Sequence, residues 1–222
     1  MKKLFYLLLM LGLTLSLASC EQEKDKTETS PVEKPTEPIE PEIPEEPSSD
    51  TLCKTLVVYY SFTNNVHTLV EDLRTQIRTD VIRVEPAEKG LDYAANNYAI
   101  GSALIAAIRN NPDDAASYPS IDEVVVDMAK YDTVMIAAPL WWSQMAAPLQ
   151  TFLFHYRSQM SGKTIGLIVS SASTGISGVE ADAKRLVPEG DFLSPNLWIR
   201  SSQTSSCHAM LAEWLEQIGY LK

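Results

Sequence analysis

The 222-residue chain has a formal charge of -11, is 45% apolar and contains three cysteines and three histidines. Without a Lys/Arg cluster to follow a phosphate backbone, nucleic acid is excluded as a partner, and so few cysteines exclude a disulfide-built scaffold. The charge is uneven, because residues 21–50 hold eleven Asp or Glu against three Lys, leaving residues 51–222 mildly acidic at -5.

The N-terminus opens with Lys2 and Lys3, continues as an apolar run from Leu4 to Leu17 and ends in small residues. This is the layout of a signal peptide over 1–19, and it is too short for a spanning helix. Leu17-Ala18-Ser19-Cys20 resembles the bacterial lipoprotein processing box. The resemblance implies lipidation at Cys20 and attachment to a membrane of the bacterial cell envelope, on the periplasmic face or at the cell surface. Buried lipid would contribute about 0.8 kcal/mol per CH₂. From Cys20 to residue 52 the chain is rich in Glu and Pro and free of aromatics, so it is expected to be a disordered tether. Pro35, Pro38, Pro41, Pro44 and Pro47 recur every third residue, matching the turn of an extended polyproline II helix.

Residues 53–222 form one expected domain of strands alternating with helices. Leu56 to Tyr60 is the first strand, and Asn65 to Arg78 follows with Val66, Leu69, Val70, Leu73 and Ile77 on one helical stripe. Val81 to Val84 is the second strand, Tyr93 to Arg109 a helix, Thr133 to Ala138 the third strand and Pro148 to Met160 a helix. Thr164 to Ser170 is the fourth strand, Gly178 to Leu186 a helix, Asn196 to Arg200 the fifth strand and Ser205 to Tyr220 the closing helix. Apolar strands alternating with helices predict an α/β fold, a parallel sheet covered on both faces.

Ligands of such sheets bind at the carboxyl ends of the strands, so three loops matter most. The first, Ser61-Phe62-Thr63-Asn64-Asn65-Val66, has no glycine, which excludes a dinucleotide fingerprint and a Walker loop. Its hydroxyls, amides and helix-start N–H groups suit one phosphate monoester, although Thr63 or Asn64 could equally serve as an ordinary helix cap. The second, Pro139-Leu140-Trp141-Trp142-Ser143, places two indoles where one could stack on a ligand ring while the other packs inward. The third, Ser170-Ser171-Ala172-Ser173-Thr174-Gly175-Ile176-Ser177-Gly178, is small and hydroxyl-rich and can bring backbone amides to a ligand edge.

Together the loops resemble the flavodoxin superfamily, most closely its bacterial flavodoxin-like flavoproteins. In the family's phosphate loop, Tyr-Ser-x-Thr-Gly-Asn-Thr, the positions Tyr60, Ser61, Thr63 and Asn65 match, with Asn64 in place of Gly and Val66 in place of the last Thr. Gly-x-Pro-x-Trp-Trp is met by Pro139, Trp141 and Trp142, with Ala137 in place of Gly. Thr-Ser-Gly-Gly-Ser-Gly is met by Ser171 and Gly175, with Ala172 and Ser173 replacing glycines. The resemblance implies a flavodoxin-like three-layer sandwich with strand order 2-1-3-4-5 and noncovalent FMN. It implies phosphate binding by Ser61, Thr63, Asn64, Asn65 and the Val66 amide, ring contacts from Pro139 to Trp142, and edge contacts from Ser171 to Gly175.

Other chemistry is excluded more simply. His67, His155 and His208 have no zinc spacing, no Gly-x-Ser-x-Gly elbow occurs, and the flavin reading asks no side chain to act as acid or base. The expected function is therefore electron transfer or flavin-dependent reduction, with an unidentified redox partner. The alternative is a surface binding module that keeps the fold without FMN. Cys53 and Cys207 are expected at opposite ends of the sheet and so to stay free thiols.

Overall fold

Alternation along the first strand divides the core in two. In this computed structural model, which describes residues 54–173 and 175–221, strand β1 (Thr55–Tyr59) is buried throughout. Leu56 and Val58 join one apolar cluster and Val57 and Tyr59 another, because successive side chains leave a strand on opposite faces. Helices α2 (Ala95–Asn110), α3 (Ala147–Tyr156) and α4 (Ser177–Leu186) cover the first face through Ile105, Phe152 and Val179. Helices α1 (Asn65–Gln76) and α5 (His208–Gln217) cover the second through Leu69 and Leu211.

Strands β2 (Asp80–Arg83), β1, β3 (Thr133–Trp141) and β5 (Thr164–Ser171) lie side by side and parallel. The fifth position holds two short strands, β6 (Asp191–Phe192) and β7 (Leu197–Arg200), both parallel to β5. β6 pairs with Thr164 and Ile165 at the start of β5, whereas β7 pairs with Ile168 to Ser171 at its end. The expected order therefore holds, with a fifth strand in two pieces of which only the second was predicted. The segment between them, with Pro195, interrupts the alternation that marks a strand.

Three further expectations are corrected. Pro139, Leu140 and Trp141 continue β3 as its last residues, and strand β4 (Gln144–Met145) pairs back antiparallel on it. The helix expected from Tyr93 begins at Ala95 and contains Asn96, Asn97 and Tyr98 at φ of 50°, 55° and 61°. The closing helix is preceded by a 3-10 turn over Ser201–Ser206, so its α-helical part starts at His208. The expected signal, tether and Cys20 lie outside the described residues, as do Cys53 and Thr174. Among the described residues no helix is long and apolar enough to cross a membrane, and no group of His, Cys, Asp and Glu has the arrangement to hold a metal.

Cys207 is a free thiol, 3% exposed. It stands at the start of α5, where a helix N-terminus would favour thiolate. Burial, reinforced by the nearby Asp72 carboxylate, instead pushes the thiol up. Cys207 in the native domain is expected to resist iodoacetamide at pH 8 and to react at the rate of unfolding. Peptide mapping that finds it alkylated as fast as a free thiol would contradict this burial.

Candidate functional site

The first loop is built by a helix start that its own residues hold open. Asn64 caps α1 at φ 63°, ψ 2°, without a capping bond from its side chain. This is the left-handed conformation that Asn tolerates better than most residues, so Asn can stand where the family pattern has glycine. Asn64 is thus the cap by position, as one of the two residues expected there, but the side-chain bond comes from Ser61, whose buried Oγ accepts the His67 N–H at 3.2 Å. Ser61 still has its hydroxyl hydrogen to donate, and the N–H groups of Asn65 and Val66 have no partner within the helix. Arg83 braces the loop from behind, its Nη2 donating to the Ser61 carbonyl at 3.1 Å and to Asn64 Oδ1 at 3.5 Å. His67 is tied to the Tyr59 hydroxyl through Nδ1 at 2.8 Å.

The second loop is a tight hairpin. Leu140 pairs with Met145 and Trp141 with Gln144, leaving Trp142 and Ser143 as a two-residue turn at φ 47° and 63°. Two positive φ values are the signature of the primed turns that match strand twist. The two indoles part because Trp141 ends the strand while Trp142 turns away through a left-handed φ. Trp141 packs inward, its ring 5.6 Å from Tyr60 and 5.0 Å from Tyr93. Trp142 is 45% exposed and lies against α2 at Gly101, where a Cβ would come within 3.0 Å of its ring. Glycine at 101 thus makes room for the indole. Tyr98, half exposed, meets Trp142 edge-on at 6.4 Å, and the left-handed run from Asn96 to Tyr98 carries it there.

The third loop follows β5. Ser171 Oγ accepts the Trp198 Nε1–H at 2.8 Å, which anchors the loop to β7. Ser170 is 4% exposed and its Oγ has no hydrogen-bond partner among the described residues.

A cavity of about 340 Å³ joins all three loops. Of the residues expected from sequence, Ser61, Thr63, Asn65 and Val66 line it from the first loop, and Pro139, Leu140, Trp141 and Trp142 from the hairpin. Ser171 and Ala172 line it from the third. Asn64, Ser173 and Gly175 do not: Asn64 turns its side chain toward Arg83. Phe62 and Ser170, which stand in the expected loops but were given no ligand contact of their own, line it too, and Tyr93, Tyr98, Gly101 and Ser201 have no place in the sequence reading. Tyr93 and Tyr98 precede and open α2, a connection after β2 that was passed over because only the ends of strands one, three and four were searched. No charged side chain is among the described residues lining the cavity.

Tyr93 adds a second such group, since it is 4% exposed and its hydroxyl has no hydrogen-bond partner among the described residues. Burial pushes its phenol up, helped by Glu88, so it remains a protonated donor at neutral pH. Burial likewise holds the Tyr60 phenol protonated. Two buried, unsatisfied hydroxyls at one cavity each cost about 1–3 kcal/mol until a ligand or water satisfies them. That cost, the helix start and the exposed indole fit a ligand with an anionic end and a flat, polar-edged ring.

Fold and cavity define a doubly wound α/β domain with a cavity at the carboxyl ends of the strands. The flavodoxin family matches residues 54–218, and the chain belongs to that family. Solved structures agree on the fold. A candidate flavoprotein from Bacteroides eggerthii is 22% identical, covers 76% of this chain and 99% of its own, and superposes with a TM-score of 0.60. One from Bacteroides uniformis is 21% identical over 74% of this chain and 98% of its own, with a TM-score of 0.58. A Lactobacillus acidophilus flavoprotein, solved in complex with FMN, is 21% identical over 69% of this chain and 97% of its own, with a TM-score of 0.55.

Proposed function

We propose that this protein is an FMN-binding flavoprotein that serves as an electron carrier or a flavin-dependent reductase. The observation that supports it most is one cavity, lined by no charged side chain among the described residues, that is shared by a helix start, an exposed indole and two hydroxyls without partners there. In this reading the Ser61 and Thr63 hydroxyls and the Asn65 and Val66 amides hold the phosphate through dipoles and hydrogen bonds. Trp142 stacks on the ring, and the Ser170 and Tyr93 hydroxyls and the backbone at Ser171 and Ala172 meet its polar edges. The bound flavin supplies the redox chemistry, while the protein binds and orients it. The Lactobacillus acidophilus relative bound to FMN is consistent with this assignment.

Titration of the purified domain with FMN, riboflavin and FAD tests it. FMN is expected to bind more tightly than riboflavin, which has no phosphate. Equal affinity would return the first loop to simple capping, and no binding of any flavin would favour a binding module that retains only the fold.

We also propose that lipid on Cys20 holds the domain at an envelope membrane, with the Glu/Pro-rich stretch as spacer. What supports this is the sequence Leu17-Ala18-Ser19-Cys20 behind an apolar run. Cys20→Ala is expected to move the protein out of the detergent phase in a phase-partition experiment. Unchanged partitioning would refute the anchor.

A further inference from the structure

The hairpin carrying Trp142 has an unusual turn, because neither of its left-handed residues is Gly, Asn or Asp, the residues such turns favour. A left-handed conformation is unfavourable for an ordinary residue, so the surrounding structure must hold it. Two contacts from α4 do so. At Gly178 the backbone stands directly against the Ser143 carbonyl, and a Cβ there would lie 1.7 Å from its oxygen and 2.9 Å from its carbon. One turn further on, Asp182, 5% exposed, accepts the Met145 N–H through Oδ2 at 2.8 Å.

Met145 is held on its other side as well. The fully buried Gln150 of α3 donates Nε2–H to the Met145 carbonyl at 2.7 Å. Arg185 then joins both holders, donating to Gln150 Oε1 at 2.8 Å and to Asp182 Oδ1 at 3.2 Å. Both backbone polar groups of Met145 thus end in one side-chain network, and the turn ahead of it abuts a residue without a side chain.

We infer that Gly178 and Asp182 are positioning residues that fix the Trp142 turn and so set where the indole meets a bound ring. The inference rests on the reading of Trp142 as the ring contact. Neither residue lines the cavity, so each acts only through the hairpin.

The test is a double-mutant cycle. Gly178→Ala and Asp182→Ala are expected to weaken FMN and riboflavin by the same factor, about tenfold, because the ring is common to both ligands and the phosphate loop is untouched. In a Trp142→Ala background either change should weaken binding by less than twofold, since the indole to be positioned is gone. Asp182→Asn keeps an acceptor for the Met145 N–H and should restore most of the affinity; it carries the test if Gly178→Ala does not fold. Losses that multiply unchanged in the Trp142→Ala background would overturn the inference and leave both residues as general stabilisers.

A readout without flavin separates this failure from failure of the flavin reading. In the ligand-free domain, Gly178→Ala and Asp182→Ala should raise the acrylamide quenching of tryptophan emission, and the rise should vanish when Trp142 is replaced by Phe. A rise that persists without Trp142, or no rise in a folded variant, would also overturn the inference, whether or not flavin binds.

Discussion

Trp141→Ala is expected to destabilise the domain by about 3 kcal/mol, the range of large aromatic truncations in a packed core, whereas Trp142→Ala should cost less than about 1 kcal/mol of stability. The difference follows from their surroundings, since Trp141 sits between Tyr60 and Tyr93 while nearly half of Trp142 is exposed. Binding should respond in the opposite sense. Loss of the Trp142 indole removes about 0.5–1.5 kcal/mol of stacking in addition to buried area, so ring affinity should fall roughly tenfold with little change in melting. Chemical denaturation and flavin titration of the two variants check both halves. If Trp141→Ala leaves stability intact, or Trp142→Ala leaves affinity intact, the two roles are misassigned.

Val66→Thr is expected to act on stability and affinity in opposite directions. The side chain is only 1% exposed and belongs to the apolar cluster under α1 and α5, yet the residue also borders the cavity. A hydroxyl introduced there is partly satisfied at best in the ligand-free domain, at a cost of about 1 kcal/mol, or roughly 2–4 °C in melting temperature for a domain of this size. With FMN the same hydroxyl reaches a charged acceptor, for which hydrogen bonds contribute about 1.5–3 kcal/mol. FMN affinity should therefore rise about tenfold while riboflavin affinity stays the same. Calorimetric melting with each ligand at equal concentration reads both effects, because bound ligand raises the melting temperature by an amount that grows with the logarithm of its affinity. A gain shared by both ligands would place the hydroxyl away from any phosphate.

The sheet was legible because β1, β3 and β5 are continuous apolar runs, such as Leu56-Val57-Val58-Tyr59, that only a doubly covered sheet can bury. β6 was not legible: two residues of alternating exposure carry no period. The hairpin was mistaken for a loop because Pro139 and two large indoles disguise a strand that still alternates, and because its turn lacks the usual residues. Ser61, Thr63, Asn65, Val66 and the hairpin pair could be named from local order, since a helix start and a strand end gather neighbours in sequence. Tyr93, Tyr98 and Gly101 reach the same cavity only through tertiary packing of α2 on Trp142, which no local pattern encodes. Asn64 was expected in the site and points out of it, because its identity answers a backbone angle.

The divided fifth strand has its own consequence for how the domain breathes. On the side away from β3, the last part of β5, from Ile168 to Ser171, is flanked by the four residues of β7, and β6 is separated from them along the edge. Short edge segments release without global unfolding. Hydrogen exchange should therefore find the amides of β7 and the adjoining 3-10 turn opening well before those of β1 and β3. That opening would uncover Ser170 and Ser201 together, giving the cavity a side entrance whose rate is set by the sheet edge and left unchanged by the state of the tryptophan hairpin.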